Sequence, residues 1–234
     1  MDAYIGMGHT AENLAKKYSI SRDEQEKMAL ESHQKASEAQ ENGEFKDEII
    51  TINEIDTDGC IRSETSLESM AKLKPAFDKK GVVTAGTSSP LTDGAAAVIV
   101  CSEKYAKDNN LEIMAYIRGM AISGCNPEIM GIGPVISSQK ALKRAGINLE
   151  DIDIIEMNEA FAAQSLACVK ELGIDMSKLN VHGGAIAMGH PLGASGARIT
   201  GKAASLLQKQ NKRYALSTMC VGGGQGCATV LERG

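Results

Sequence analysis

The stretch Ile152 to Leu172, IDIIEMNEAFAAQSLACVKEL, decides how the chain reads. Ile152 to Met157 is a short apolar run of the length and composition of a buried strand. The residues after Asn158 change to a helical rhythm that lasts to about Leu172, with Asn158 as the expected helix cap. A strand passing directly into a helix is the unit of layered α/β architecture. The same alternation extends to both sides: Ile113 to Met120 predicts a strand, and Pro134 to Ala145 a helix closed by Gly146. Tyr214 to Met219 and Cys227 to Leu231 predict paired strands around a glycine-rich turn. An α/β domain over 113–234 follows.

Upstream the rhythm is different. Ser21 and Glu24 form a capping-box pattern at the head of a long helix that Gly43 can end, and a shorter helix is expected after Thr10. Ile49 to Ile52 can make a short strand, but Asp56 to Lys80 is polar and punctuated. Residues 1–91 therefore read as an irregular, helix-containing segment. Asp93-Gly94 then leads into Ala95 to Cys101, apolar throughout, as a central strand would be. Few strand partners precede it. It is expected either to belong to a sheet not formed by its neighbours or to pair at the edge of the C-terminal sheet.

With 234 residues, 43% of them hydrophobic, the chain can bury a sizeable core. Its formal charge is -5, and the basic residues are scattered, which excludes a phosphate-tracking surface for nucleic acid. There is no signal-peptide pattern and no run near the roughly 18 apolar residues that a span requires, so neither secretion nor membrane insertion is expected. The expectation is a cytoplasmic protein. Six irregularly spaced cysteines without a CxxC pair suggest neither a disulfide framework nor a metal site.

Three strings near predicted strand ends could carry chemistry, since ligands of α/β sheets gather there: Asn158-Glu159-Ala160-Phe161, Gly189-His190-Pro191 within GGAIAMGHPLGASGAR, and Cys220-Val221-Gly222-Gly223-Gly224. Each also has a plainer reading as a helix cap, a core histidine or a strand-end cysteine. The last string is not a dinucleotide fingerprint, because Cys227 stands where GxGxxG requires glycine.

Together and in this order the strings resemble the thiolase family. SRDEQ, MAKLKPAF, TAGTSSPLTDGAAAVIV and STMCVGGGQG extend the resemblance over almost the whole chain. Thiolases make or break a carbon–carbon bond between acyl-CoA thioesters. The resemblance implies a thiolase-like fold in which residues 1–91 are most of a loop domain, 92–112 a remnant of the first α/β domain, and 113–234 the second.

It also implies the site. Such chemistry needs a nucleophilic thiolate, a base, and donors for enolate and tetrahedral oxygens. Cys220 resembles the family's acid/base cysteine. His190 resembles the histidine that activates the nucleophile and donates to a thioester oxygen. Asn158 resembles the residue holding a water in that oxyanion site, and Gly222 offers a backbone N–H for the other. These four are expected to border one small cavity. Ser89 and Phe77 resemble coenzyme A contacts, and Met7, Ala160 and Phe161 the acyl pocket.

Coenzyme A and acyl-CoA are implied as substrates, with no cofactor beside them and no metal. The nucleophilic cysteine of the family lies in a part of the first domain expected to be missing here. The resemblance thus implies a partial chain without turnover of its own, a complementary N-terminal fragment as possible partner, and a homo-oligomer when complete. The alternative is a non-catalytic relic that binds coenzyme A or a partner. Cys60, Cys101, Cys125, Cys168 and Cys227 are expected to be structural, His182 to order its loop, and His9 and His33 to lie at the surface. One departure concerns specificity: acetoacetyl-specific members carry His-Met-Gly before the TAEN helix, whereas Gly6-Met7-Gly8 stands here. Together with TSSPLTDG this points to longer 3-ketoacyl-CoA.

Overall fold

The computed structural model describes residues 4–234. Its centre is a four-stranded sheet of β1 (Ala115–Gly124), β2 (Ile154–Met157), β3 (Tyr214–Val221) and β4 (Gln225–Arg233), in the order β1-β4-β3-β2. The β1/β4 and β3/β4 pairs are antiparallel and β2/β3 is parallel. All four strands and the helix α5 (Gly133–Ala145) lie where the sequence predicts, within a few residues. Gly146 takes the left-handed conformation (φ 70°) that closes α5.

The sheet is covered on both faces, which explains why β2 is buried at every position. Side chains alternate along a strand. Ile155, Met157, Leu216 and Val230 point into the larger core with α5 and α6 (Ala162–Leu172). Ile154, Ala215 and Leu231 meet Ala203, Leu206 and Leu207 of α8 (Leu192–Lys209) on the other side. The short α7 (Ala185–Met188) precedes α8. Where α5 begins, the chain crosses β4 so closely that a Cβ on Gly226 would stand 2.1 Å from the carbonyl carbon of Gly133. Only glycine fits there.

Residues 4–91 form no strand; they pack as helices against this domain. Leu14 of α1 (Met7–Lys17) enters the core beside α6. In α2 (Arg22–Glu41) the capping box is present: the Ser21 hydroxyl accepts from the Glu24 N–H at 3.2 Å, and the Glu24 carboxylate accepts from the Ser21 N–H at 2.7 Å. Arg22 donates to the carbonyls of Met70, Ala71 and Leu73 around the end of α3 (Leu67–Ala71), and the Glu12 carboxylate accepts from the backbone N–H groups of Val82 and Val83.

Three expectations are corrected and a fourth is narrowed. Helix α1 begins at Met7, earlier than Thr10. Ile49 to Ile52 is no strand; a tight turn pairs Ile52 with Ile55 through Asn53 and Glu54 at positive φ. His33 is buried rather than at the surface, and its Nδ1 accepts from the Arg62 N–H. Ala95 to Cys101 forms no ladder within the chain, which rules out pairing at the edge of the C-terminal sheet and agrees with a run whose sheet its neighbours do not form. It runs exposed and without ladder partners before α4 (Glu103–Asp108), and Val98 touches the chain at Gly201 of α8. The β1 edge, its other possible neighbour, pairs with β4 alone. An apolar run without a neighbouring strand has no hydrogen bonds to make it one.

Candidate active site

The candidate residues gather at the carboxyl ends of β2 and β3. The two strands run parallel, with Met157 opposite Thr218, and the Asn158 N–H extends the ladder to the Thr218 carbonyl at 3.0 Å. Cys220 lies two residues beyond Thr218. Helix α8 runs back along β3: Thr200 Oγ1 is 3.1 Å from Ser217 Oγ, and Gly196 faces Met219. The start of α8, with His190 before it, therefore lies at the same end of the sheet as Cys220.

Cys220 is 5% exposed and packs with Met130, Ala160, Met7 and Phe161. Burial pushes its thiol up to about 12, so at neutral pH it holds its proton. Gly222 begins the turn that Gly223 and Gly224 complete at positive φ. A Cβ on Gly222 would lie 3.8 Å from the Met7 sulfur, and its N–H makes no hydrogen bond among the described residues.

Asn158 is fully buried, and neither its Oδ1 nor its Nδ2 has a partner among the described residues. The expected cap is thus corrected: Phe161 is the N-cap residue of α6, which starts at Ala162, three residues too late for Asn158 to serve. A buried primary amide with both ends free is costly unless water or a ligand meets it.

His190 is half-buried between Gly189 and Pro191. Gly189 has φ 93°, and a Cβ there would strike Thr92 at 2.6 Å; one on Gly94 would strike Pro191 at the same distance. The TDG segment is thereby stacked on the histidine loop. The imidazole Nδ1 lies 2.6 Å from Ser195 Oγ. Burial first, and the Arg198 guanidinium second, hold the ring below its ordinary value, so it is neutral at pH 7.

The structure brings Cys220, Ala160, Phe161 and Met7 into one cluster and adds Phe77, whose ring meets Phe161 edge-on at 5.7 Å. Ser89 is tied to the same place, its N–H and hydroxyl both donating to the Ala160 carbonyl. His190 and Asn158 share the sheet end, but no hydrogen bond joins them to each other or to Cys220. A groove of about 490 Å³ at the far end of α5, lined by Leu142, Gly146, Leu149 and Leu172 among others, contains none of the candidates. Among the described residues no group of His, Cys, Asp and Glu is arranged to hold a metal, and no helix is long and apolar enough to cross a membrane.

Sequence reasoning missed two supporting residues. The buried Glu159 carboxylate accepts from Ser32 Oγ and Asn180 Nδ2, both at 2.7 Å, and from the Ile186 N–H at 3.3 Å. It joins α2, the end of β2 and the entry to the histidine loop. Ser195 is the other. The signal for it was local: Ser195 lies in the first turn of α8, four residues after the N-cap Pro191 and close to His190.

Comparison with known proteins bears on the whole chain. The family model described as "Thiolase, C-terminal domain" matches residues 111–233, and "Thiolase, N-terminal domain" matches 2–104. The second match corrects in part the expectation of a missing N-terminal domain, since residues 2–104 match that domain's model. The chain is 51% identical to a 3-ketoacyl-CoA thiolase of Vibrio parahaemolyticus and 52% to one of Yersinia enterocolitica, covering 97% of this chain and 61% and 62% of those proteins. Human mitochondrial 3-ketoacyl-CoA thiolase in complex with CoA superposes with a TM-score of 0.96 at 48% identity, over 97% of this chain and 59% of that one. For the Bacillus anthracis acetyl-CoA acetyltransferase the values are 0.93 and 43%, over 98% and 60%. The chain thus spans about three fifths of these relatives' length. It belongs to the thiolase family.

Proposed function

We propose that this chain carries the proton-transfer half of a thiolase site, which cleaves 3-ketoacyl-CoA with coenzyme A or, in reverse, joins two acyl-CoA thioesters. The observation that carries the reading is Asn158, a fully buried amide with no hydrogen-bond partner among the described residues, at the end of the strand beside the one bearing Cys220. A thioester oxygen that turns anionic requires donors set in place beforehand. Asn158, through a water, and His190 would serve one such oxygen, and the Gly222 N–H the other.

Cys220 would do the proton transfer. A thiol held near 12 keeps its proton until a strongly basic carbon appears. In cleavage the departing enolate takes that proton; in condensation the thiolate removes one from the acyl carbon. His190, neutral at pH 7, would accept the proton of the nucleophilic cysteine. Met7, Ala160 and Phe161 would line the acyl pocket, with Phe77 and Ser89 towards coenzyme A. Glycine where acetoacetyl-specific members carry histidine, together with TSSPLTDG, supports a preference for longer 3-ketoacyl chains. Coenzyme A enters as a substrate, as the CoA complex of the human relative suggests, and the reaction calls for no cofactor beside it.

Cys125, whose thiol donates to the carbonyl of Met130 in the Cys220 cluster, and Cys227 lie near Cys220, but burial pushes both thiols up, so neither has the character of an activated nucleophile. The acyl-accepting thiol would come from sequence beyond these residues, and the assembled enzyme would be a homo-oligomer. A polypeptide of residues 1–234 is therefore expected to show no thiolysis of acetoacetyl-CoA by CoA. Turnover at the rate of a complete relative, abolished by Cys220→Ser, would overturn the half-site reading.

A further inference from the structure

We propose that Asn180 is a positioning residue: its side-chain amide completes the outer edge of β2 and holds the chain on both sides of Asn158, so that the free Asn158 amide stays aimed into the oxyanion site. This rests on the reading above that Asn158 serves a thioester oxygen, and it brings in a residue to which that reading gives no part. Asn158 cannot hold itself. It is fully buried, and neither atom of its amide has a hydrogen-bond partner among the described residues. Its direction is therefore inherited from the chain that carries it.

β2 is the last strand of the sheet, with β3 on one side of it only. Backbone groups along a strand turn alternately to its two sides. The Asn158 N–H turns to Thr218 of β3, so the N–H and carbonyl of Met157 face the other edge, where no full strand follows. Leu179 bridges Ile155 on that edge, and the Asn180 N–H donates to the Ile155 carbonyl at 2.8 Å. At the next position the Asn180 side chain takes the place of a peptide. Its Oδ1 accepts from the Met157 N–H and its Nδ2 donates to the Met157 carbonyl, both at 2.9 Å. A backbone N–H can only donate and a carbonyl only accept, so one orientation of the amide fits and its reverse would make both contacts repulsive. Nδ2 also donates to the Glu159 carboxylate at 2.7 Å.

Glu159 is anchored from other directions as well. Ser32 Oγ and the Ile186 N–H donate to it, and a Cβ on Gly184 would stand 2.2 Å from its carboxyl carbon. The residues before and after Asn158 are thus bound through one amide, and all four residues are buried. Asparagine suits the post twice: Asn180 has φ 44°, a left-handed conformation that asparagine tolerates, and its side chain combines an acceptor with a two-proton donor. The precision matters, because a misplacement of about 1 Å in a reacting or stabilising group can cost about 10²-fold in rate.

The test has a structural and a functional arm. The first takes ¹H–¹⁵N spectra of the 234-residue chain, with side-chain amides assigned through correlations to their own backbone. The Asn180 NH₂ protons are expected to exchange with water more slowly than those of Asn158; an Asn180 pair exchanging as fast would overturn the proposal without any variant. Asn180→Gly, which accepts the positive φ, should displace the Asn158 NH₂ signals, and signals left in place in a folded variant would overturn it too. The second arm joins residues 1–234 to the preceding part of the Vibrio parahaemolyticus 3-ketoacyl-CoA thiolase. There Asn180→Gly should lower kcat about 10-fold or more with KM nearly unchanged, and adding it to Asn158→Ala should cost little beyond Asn158→Ala alone. Losses that multiply would mean that Asn180 acts on something other than Asn158, which contradicts the proposal. Asn158→Ala at the full rate would instead sink the oxyanion reading, while the exchange and shift measurements would still decide whether Asn180 holds Asn158.

Discussion

Two apolar runs of similar character have opposite fates in this molecule. Ile154 to Met157 is covered on both faces and hydrogen-bonded to β3, whereas Ala95 to Cys101 lies exposed with no strand beside it. Ile99 is 85% exposed and Ile155 1%. An apolar run therefore states a need for cover without saying what provides it. For β2 the cover is α5, α6 and α8, all within the chain. For 95–101 it is at most the contact of Val98 with Gly201.

The comparison breaks most simply through truncation. Ile155→Ala should destabilise the chain by about 2–5 kcal/mol, because a buried cavity is left behind, whereas Ile99→Ala should stay within about 0.5 kcal/mol. Urea unfolding of the two variants reads the difference directly; equal losses would mean that the 95–101 run is covered after all. Exposed apolar surface also promotes association, so Ile99→Lys should lower the apparent mass in light scattering of the wild-type chain.

The covered strand has an electrostatic cost that the exposed run lacks. Burial pushes the Glu156 carboxyl up to about 8 from its ordinary 4.5, against the pull of Arg198 and Lys202. The native state thus keeps this proton longer than the unfolded chain does. The stability involved is complete below about pH 4.5 and drains away as pH rises to about 8. Glu156→Gln, neutral at every pH, should remove that slope and stabilise the chain by roughly 2–4 kcal/mol at pH 8, with little gain at pH 5. A smaller effect separates the helices from the strands: Ser21→Ala should cost about 1 kcal/mol through loss of the capping box, measurable by thermal unfolding.

What the sequence revealed divides along the same line. The Ser21–Glu24 box, the Gly146 stop and the strands from Ala115 onward were legible because their signals are local or periodic. Asn158 was misread as a cap, since a residue at the end of a strand shows the same local signature whether its amide serves the helix or the site. The burial of His33 depends on a hydrogen bond from Arg62, 29 residues away, and the role of Glu159 on Ser32, 127 residues away. No periodicity carries such partners. Which of its two expected neighbours Ala95 to Cys101 would have was hidden for the same reason, because a ladder is a property of two segments and the sequence displays one.

The most direct test of the account joins residues 1–234 to the preceding part of the Vibrio parahaemolyticus 3-ketoacyl-CoA thiolase and measures thiolysis of 3-ketoacyl-CoA by the hybrid. The account predicts turnover that falls by about 10²-fold or more in Cys220→Ser and in His190→Asn, while Cys227→Ser, altering a thiol outside the Cys220 cluster, leaves it near the unsubstituted rate. A hybrid that turns over equally well with and without the Cys220 thiol would contradict it.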